Sequence, residues 1–150
     1  MNRPLTLESL RLLASHRSAP CVSLYMPTHR HHRGGQEDRI RYKNLVGRVE
    51  QLLAPALPPA AVREQVERLQ AVSTDAFWTR QLDGLAVFSD GNGRGDLRDY
   101  RLVGEVPELV VGADSFHLRP LLRHLQASGR YFLLLLSQNQ AQLCAGDEHG

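Results

Sequence analysis

Between Pro27 and Lys43 the chain gathers its most reactive side chains: Thr28, His29, Arg30, His31, His32, Arg33, Gly34, Gly35, Gln36, Arg39, Arg41 and Lys43. A guanidinium presents a planar fork of donors that matches a phosphate in a bidentate way. Two glycines ahead of a helix let backbone N–H groups turn toward an anion. With Arg30, Arg33 and Arg41 closing on the same group, the segment reads as a site for an RNA backbone phosphate. A solvated basic loop explains the same residues, and both readings stand at this level. The expectation is that Arg30, Arg33, Arg41 and Lys43 converge on one face beside residues 34–36. No metal site is assigned, because His31 and His32 are adjacent, the loop has no cysteine, and the i, i+4 spacing of helical ligands is missing. Asp83 and Asp90 flank an apolar run without forming a catalytic pair. There is no Ser-His-Asp order and no phosphate-cradling Walker loop, so no catalytic residue and no cofactor is assigned.

Positioning this segment takes a strand before it and a helix after it. Cys21 to Met26 alternates, with Val22, Leu24 and Met26 on one face and Cys21, Ser23 and Tyr25 on the other. Pro27 ends the strand because it has no N–H for a ladder. A helix from Asp38 to Ala54 follows, with Ile40, Val46, Val49 and Leu53 predicted on its buried face and Glu37 and Asp38 favourable at its N-terminus. Residues 55–59 break it. Thr6 caps a leading helix over 5–15. A third helix buries Val62, Val66, Leu69 and Val72, and Phe77 and Trp78 cover the core edge. Leu85–Phe88 and Leu97–Val103 read as strands joined by a glycine-rich hairpin loop over 89–96. An extended piece covers 107–111, and a fourth helix begins near Leu118 with Pro120 in its first turn. Arg130 to Gln138 and Ala141 to Ala145 form an apolar hairpin about Asn139. The expected fold is α/β: a small mixed, largely antiparallel sheet of about four strands with helices packed on both faces, plus a C-terminal β-hairpin. Val22, Leu24, Val87, Phe88 and Leu121 are expected in one core.

Composition sets broad limits. The 150 residues suit one domain, expected over 1–128, with 129–150 opening a second, so that further domains of the same chain are implied. The formal charge is only +2, so clustering matters more than the sum. Lys43 is the one lysine among 18 cationic side chains, a bias that phosphate binding and GC-rich coding explain equally well. Cys21 and Cys144 have no metal or redox spacing and read as free thiols. With no secretory leader and no apolar run of membrane length, a cytoplasmic protein without membrane contact is expected.

The order of these elements resembles the N-terminal domain of archaeal and eukaryotic class-1 peptide-release factors. It is closer still to the bacterial archaeo-eukaryotic release-factor-like proteins. Carrying the likeness are Val22-Ser-Leu-Tyr-Met-Pro27, Pro27-Thr-His-Arg30, Arg41-Tyr-Lys-Asn-Leu45, Asp83-Gly-Leu-Ala-Val-Phe88, Phe116-His117 and the hairpin from Tyr131 to Gly146. Their order spans nearly the whole chain. The family's stop-codon motifs are not kept: Arg39-Ile-Arg-Tyr42 stands where an Asn-Ile-Lys-Ser loop would, and only Phe116 remains of a Tyr-x-Cys-x-x-x-Phe element. What the resemblance implies is a non-catalytic module that contacts ribosomal RNA or tRNA in termination, ribosome rescue or quality control. A protein-interaction or regulatory module without RNA is the alternative. Gly34-Gly35-Gln36 matches the family's peptidyl-tRNA hydrolysis triplet, but it lies in the first domain rather than the second. Twelve glycines make a chance match easy, so hydrolysis is not expected.

Overall fold

Local signals set the chain order. Thr6 caps the first helix, α1 (Leu7–Ser15), in a box closed by Ser9: the Thr6 hydroxyl accepts the Ser9 N–H, and the Ser9 hydroxyl accepts the Thr6 N–H. The strand β1 (Cys21–Pro27) then runs into the helix α2 (Gly35–Leu53). Pro55 prevents its continuation, and α3 (Pro59–Val72) starts with proline at its first position, where no N–H is missed. One helical turn, α4 (Asp75–Trp78), is capped by Thr74. The strands β2 (Gly84–Asp90), β3 (Arg98–Leu102) and β4 (Leu109–Ala113) follow, then α5 (Arg119–Gln126) and the strands β5 (Arg130–Leu136) and β6 (Ala141–Asp147). The computed structural model describes residues 5–31, 34–91, 97–126, 130–136 and 141–147, with side chains through residue 125. The expected loop residues 92–96 and the Asn139 turn lie outside the described residues, as does the side chain of Cys144.

The first sheet has the order β3-β2-β1-β4, with every pairing antiparallel. β1 is therefore central, and residues Cys21 to Met26 are all buried. Covering both faces of the sheet divides the core in two. Val22, Leu24, Met26, Leu85 and Val87 pack against α2, α3 and α4. Tyr25, Ala86, Phe88 and Tyr100 pack against α1 and α5. This corrects the expectation of a single core: Val22, Leu24 and Val87 lie on one side, Phe88 and Leu121 on the other, all buried. Adjacent strand residues point to opposite faces, so Val87 and Phe88 cannot share a core. The second sheet is the β5–β6 hairpin. β6 runs beside α1 and β5 beside α5. Among the described residues no helix is long and apolar enough to cross a membrane.

The inward face of α2 differs from the one expected. Asp38, Tyr42, Leu45, Val46, Val49 and Leu53 are buried, while Ile40 is 61% exposed. At 100° per residue Ile40 lies nearly opposite the centre of that stripe. The helix also starts three residues earlier than expected. The Tyr42 hydroxyl donates to the Leu69 carbonyl at 2.7 Å inside the core, joining α2 to α3. The Trp78 indole edge meets Tyr42 with ring centres 5.5 Å apart and donates to Ser73 Oγ at 2.7 Å.

Substitutions in these elements should separate core contacts from apolar residues out of phase with the core. Leu24→Ala should cost about 2–5 kcal/mol in urea denaturation, as a buried leucine on a central strand. Tyr42→Phe should cost about 1–3 kcal/mol, because the Leu69 carbonyl stays buried without its donor. Ile40→Ala should stay within about 0.5 kcal/mol of wild type. A loss at Ile40 comparable to that at Leu24 would contradict the orientation of α2.

Candidate functional site

The segment between β1 and α2 is held from both sides. Thr28 continues the strand: its N–H donates to the Asp83 carbonyl at 2.9 Å and its hydroxyl to the Leu82 carbonyl at 2.7 Å. Beyond it, Asp38 reaches back from the first turn of α2. The Asp38 carboxylate is 0% exposed and accepts the His29 N–H at 2.8 Å through one oxygen. Its other oxygen lies 2.8 Å from His29 Nδ1. With a carboxylate as partner, Nδ1 is the ring nitrogen that carries the proton. The start of α2 is thus fastened to the end of β1 across nine residues. Gly34 belongs to the same contact. A Cβ there would lie 2.4 Å from both Cβ and Cγ of His29, so the backbone needs glycine for close approach. Around Gly35 a Cβ would meet nothing within 4 Å.

Each described arginine of the segment has a carboxylate nearby. Arg30 forms a fork with Asp83, Nε to Oδ1 at 2.8 Å and Nη2 to Oδ2 at 2.9 Å. Asp83 also accepts the Gly104 N–H at 2.8 Å. Arg30 and then the Gly104 N–H hold the Asp83 carboxyl well below the usual carboxylate range, and the same fork raises the Arg30 guanidinium. Arg39 pairs with Asp75 of α4. Arg41 donates weakly to the Pro27 carbonyl at 3.4 Å and lies 3.8 Å from Glu108. Lys43, His31 and Gln36 are exposed. No hydrogen bond among the described residues holds the Gln36 amide.

The structure therefore brings together only part of the expected patch. Thr28, His29, Arg30, Gly34 and Arg41 meet at the end of the sheet where β1 leaves and β2 and β4 begin. Arg39 turns to α4. Lys43 sits roughly 160° around the helix axis from Arg41, so it does not join Arg41 on one face. Helical phase is the reason, since residues two apart cannot share a side. Arg33 lies outside the described residues. The sequence reading missed Asp38 and Asp83 as the groups that order the site. The signal for Asp38 was its position on the stripe of Tyr42, Leu45 and Val49, where an acid must find an internal partner. Nothing in the spacing links Arg30 to Asp83, 53 residues away.

A second polar cluster lies at the opposite end of β1. Asp90 accepts the Ser18 hydroxyl at 2.9 Å and lies 3.1 Å from His16 Nε2. The His16 ring stacks on Phe116 with centres 5.1 Å apart. The carboxylate stands between serine and imidazole, so the imidazole is not placed to take the serine proton and the group is not a nucleophile–base pair. Cys21 is free and fully buried, and burial pushes its thiol up. The chain matches no family model and no curated protein.

Two measurements test the arrangement at the start of α2. Gly34→Ala should displace His29 and lower the unfolding midpoint, whereas Gly35→Ala should be neutral or slightly stabilising through helix propensity. Equal effects would contradict the His29–Gly34 contact. Because the Asp83 carboxyl is lowered in the fold, its contribution is complete above the ordinary carboxylate value of about 4 and fades as pH falls below it. The stability difference between wild type and Asp83→Asn should be constant from pH 7 to about 5 and narrow below about 4. A pH-independent difference would contradict the pairing.

Proposed function

We propose that the chain is a release-factor-like, translation-associated module that contacts ribosomal RNA or tRNA through residues 28–43. The reading rests on the order of motifs along the sequence and on one structural observation, the carboxylate-held Arg30. Asp83 engages Nε and one Nη2 donor of Arg30, and the remaining guanidinium donors are available to a phosphate. A side chain already fixed in place loses less freedom when it binds. The same economy applies to the loop, which Asp38 ties to α2 before any ligand arrives. Binding of this kind is backbone-directed and weakens steeply with salt. The contact serves termination, ribosome rescue or quality control, with chemistry supplied elsewhere.

The ion pairs also favour a second reading. Asp83, Asp75 and Glu108 offset much of the local positive charge at Arg30, Arg39 and Arg41. A surface of alternating charge suits a protein-interaction or regulatory module without RNA. Peptidyl-tRNA hydrolysis through Gln36 has less support, since an effective catalytic amide is held in a fixed geometry.

Filter binding of tRNA and of a ribosomal RNA helix over a salt series separates these readings. The RNA reading predicts a linear fall of log affinity with log salt. Replacing the two cations that meet at the end of the sheet, Arg30→Gln with Arg41→Gln, should reduce that slope by about 2, one for each phosphate no longer neutralised. Association that ignores both salt and the double substitution would overturn the RNA reading and leave the interaction module.

A further inference from the structure

The two edges of the main sheet are unequal. β3 carries Arg98, Asp99 and Arg101 along its length, the charged pattern that discourages a further strand. β4 reads Leu109-Val-Val-Gly-Ala113 and has no charge within it. Its hydrogen-bonding phase follows from the ladder beside it. Gly91 donates to the Pro20 carbonyl at 2.7 Å and Thr28 to the Asp83 carbonyl at 2.9 Å. Even-numbered residues of β1 therefore face β2, and Cys21, Ser23 and Tyr25 face Ala113, Val111 and Leu109. The N–H and C=O groups of Val110 and Gly112 are left pointing away from the sheet. Among the described residues no strand pairs with that side of β4.

Carboxylates bracket this open stretch. Glu108 precedes it and Asp114 follows it, both exposed. Val110 and Gly112 lie on the face that packs on α2, with Gly112 against Leu52. Glu108 sits just before the strand, 3.8 Å from Arg41. Asp114 sits just after it, where its carbonyl turns back to accept the Ser18 N–H at 3.1 Å. The two carboxylates thus mark the ends of the open stretch. We propose that β4 binds an extended segment of a partner protein by strand addition, and that the segment carries an uncharged, β-prone centre between two basic residues six positions apart. Main-chain bonds to Val110 and Gly112 supply the pairing, and Glu108 and Asp114 select the basic ends. The same charges argue against a second copy of this chain. The antiparallel register that pairs Val110 with Gly112 would set Glu108 against Asp114 twice.

Two synthetic heptapeptides test this, Arg-Val-Thr-Val-Thr-Val-Arg and its counterpart with glutamate at both ends. In fluorescence anisotropy at low salt the arginine peptide should bind at least tenfold tighter, and the amides of Val110 and Gly112 should gain hydrogen-exchange protection. Val110→Pro removes an outward donor that an edge strand can spare and should abolish binding. The pair Glu108→Lys with Asp114→Lys should reverse the preference between the peptides, which keeps the test valid if the proline variant fails to fold. Equal binding of the two peptides, protection at amides outside β4, or self-association of the chain through this edge would each overturn the proposal.

Discussion

A carboxylate with no solvent exposure has to be answered by donors inside the protein, and Asp38 is such a group. Its two partners are the backbone N–H and the ring Nδ1 of His29. That requirement ties the start of α2 to the end of β1 and determines how Tyr42, Leu45, Val49 and Leu53 meet the sheet. It also explains why Gly34 sits against His29 and why α2 begins before the residue that anchors it. A helix N-terminus favours an acid electrostatically, and here the same acid is the pin of the whole corner. Removing one partner of a buried hydrogen-bonded charge leaves the other uncompensated, which is why such contacts are costly to break and good at specifying one arrangement.

From this corner the rest of the basic segment takes its places. Arg30 and Arg41 stay at the end of the sheet beside Asp83 and Glu108, while Arg39 and Lys43 travel with the helix toward its flank. The exposed pairs contribute little to stability on their own. Their effect is positional: a guanidinium held by a carboxylate keeps its remaining donors aimed in one direction. A phosphate-contacting surface built this way gains order and gives up net charge, and salt dependence measures the balance between the two. Along the neighbouring β4 edge of the same sheet the charges are reversed in sign and sparse, with Glu108 and Asp114 around an uncharged strand. One acidic residue, Glu108, lies next to both Arg41 and this edge.

Much of the fold was legible because burial leaves a periodic trace. The alternation in residues 21–26, the proline at 27 and the runs at 85–88 and 62–72 place the central strands and α3 without further help. Thr6 and the prolines at 55, 58 and 59 mark helix ends by chemistry that acts over a few residues. The misreading of Ile40 came from treating an apolar residue as inward when its phase was wrong, and from passing over Asp38 because it is charged. Hydrophobic periodicity cannot register a buried acid. Nor can it register the Arg30–Asp83 fork, which depends on β1 and β2 being neighbours. The division of the core into two faces follows from strand parity and was readable, since Tyr25 was already placed opposite Leu24.

The surface proposed for RNA is the corner formed by His29, Arg30, Gly34 and Asp38, which is held together before any ligand binds. Amide NMR of the isotopically labelled protein titrated with a ribosomal RNA helix tests this proposal most directly. The account predicts that resonances of residues 28–31, 34–39 and 41–43 shift together and saturate, that β3 and β4 stay unmoved, and that Asp38→Ala both shifts this same set before any RNA is added and weakens its response. Shifts centred on another part of the sheet, or none up to saturating RNA, would contradict it.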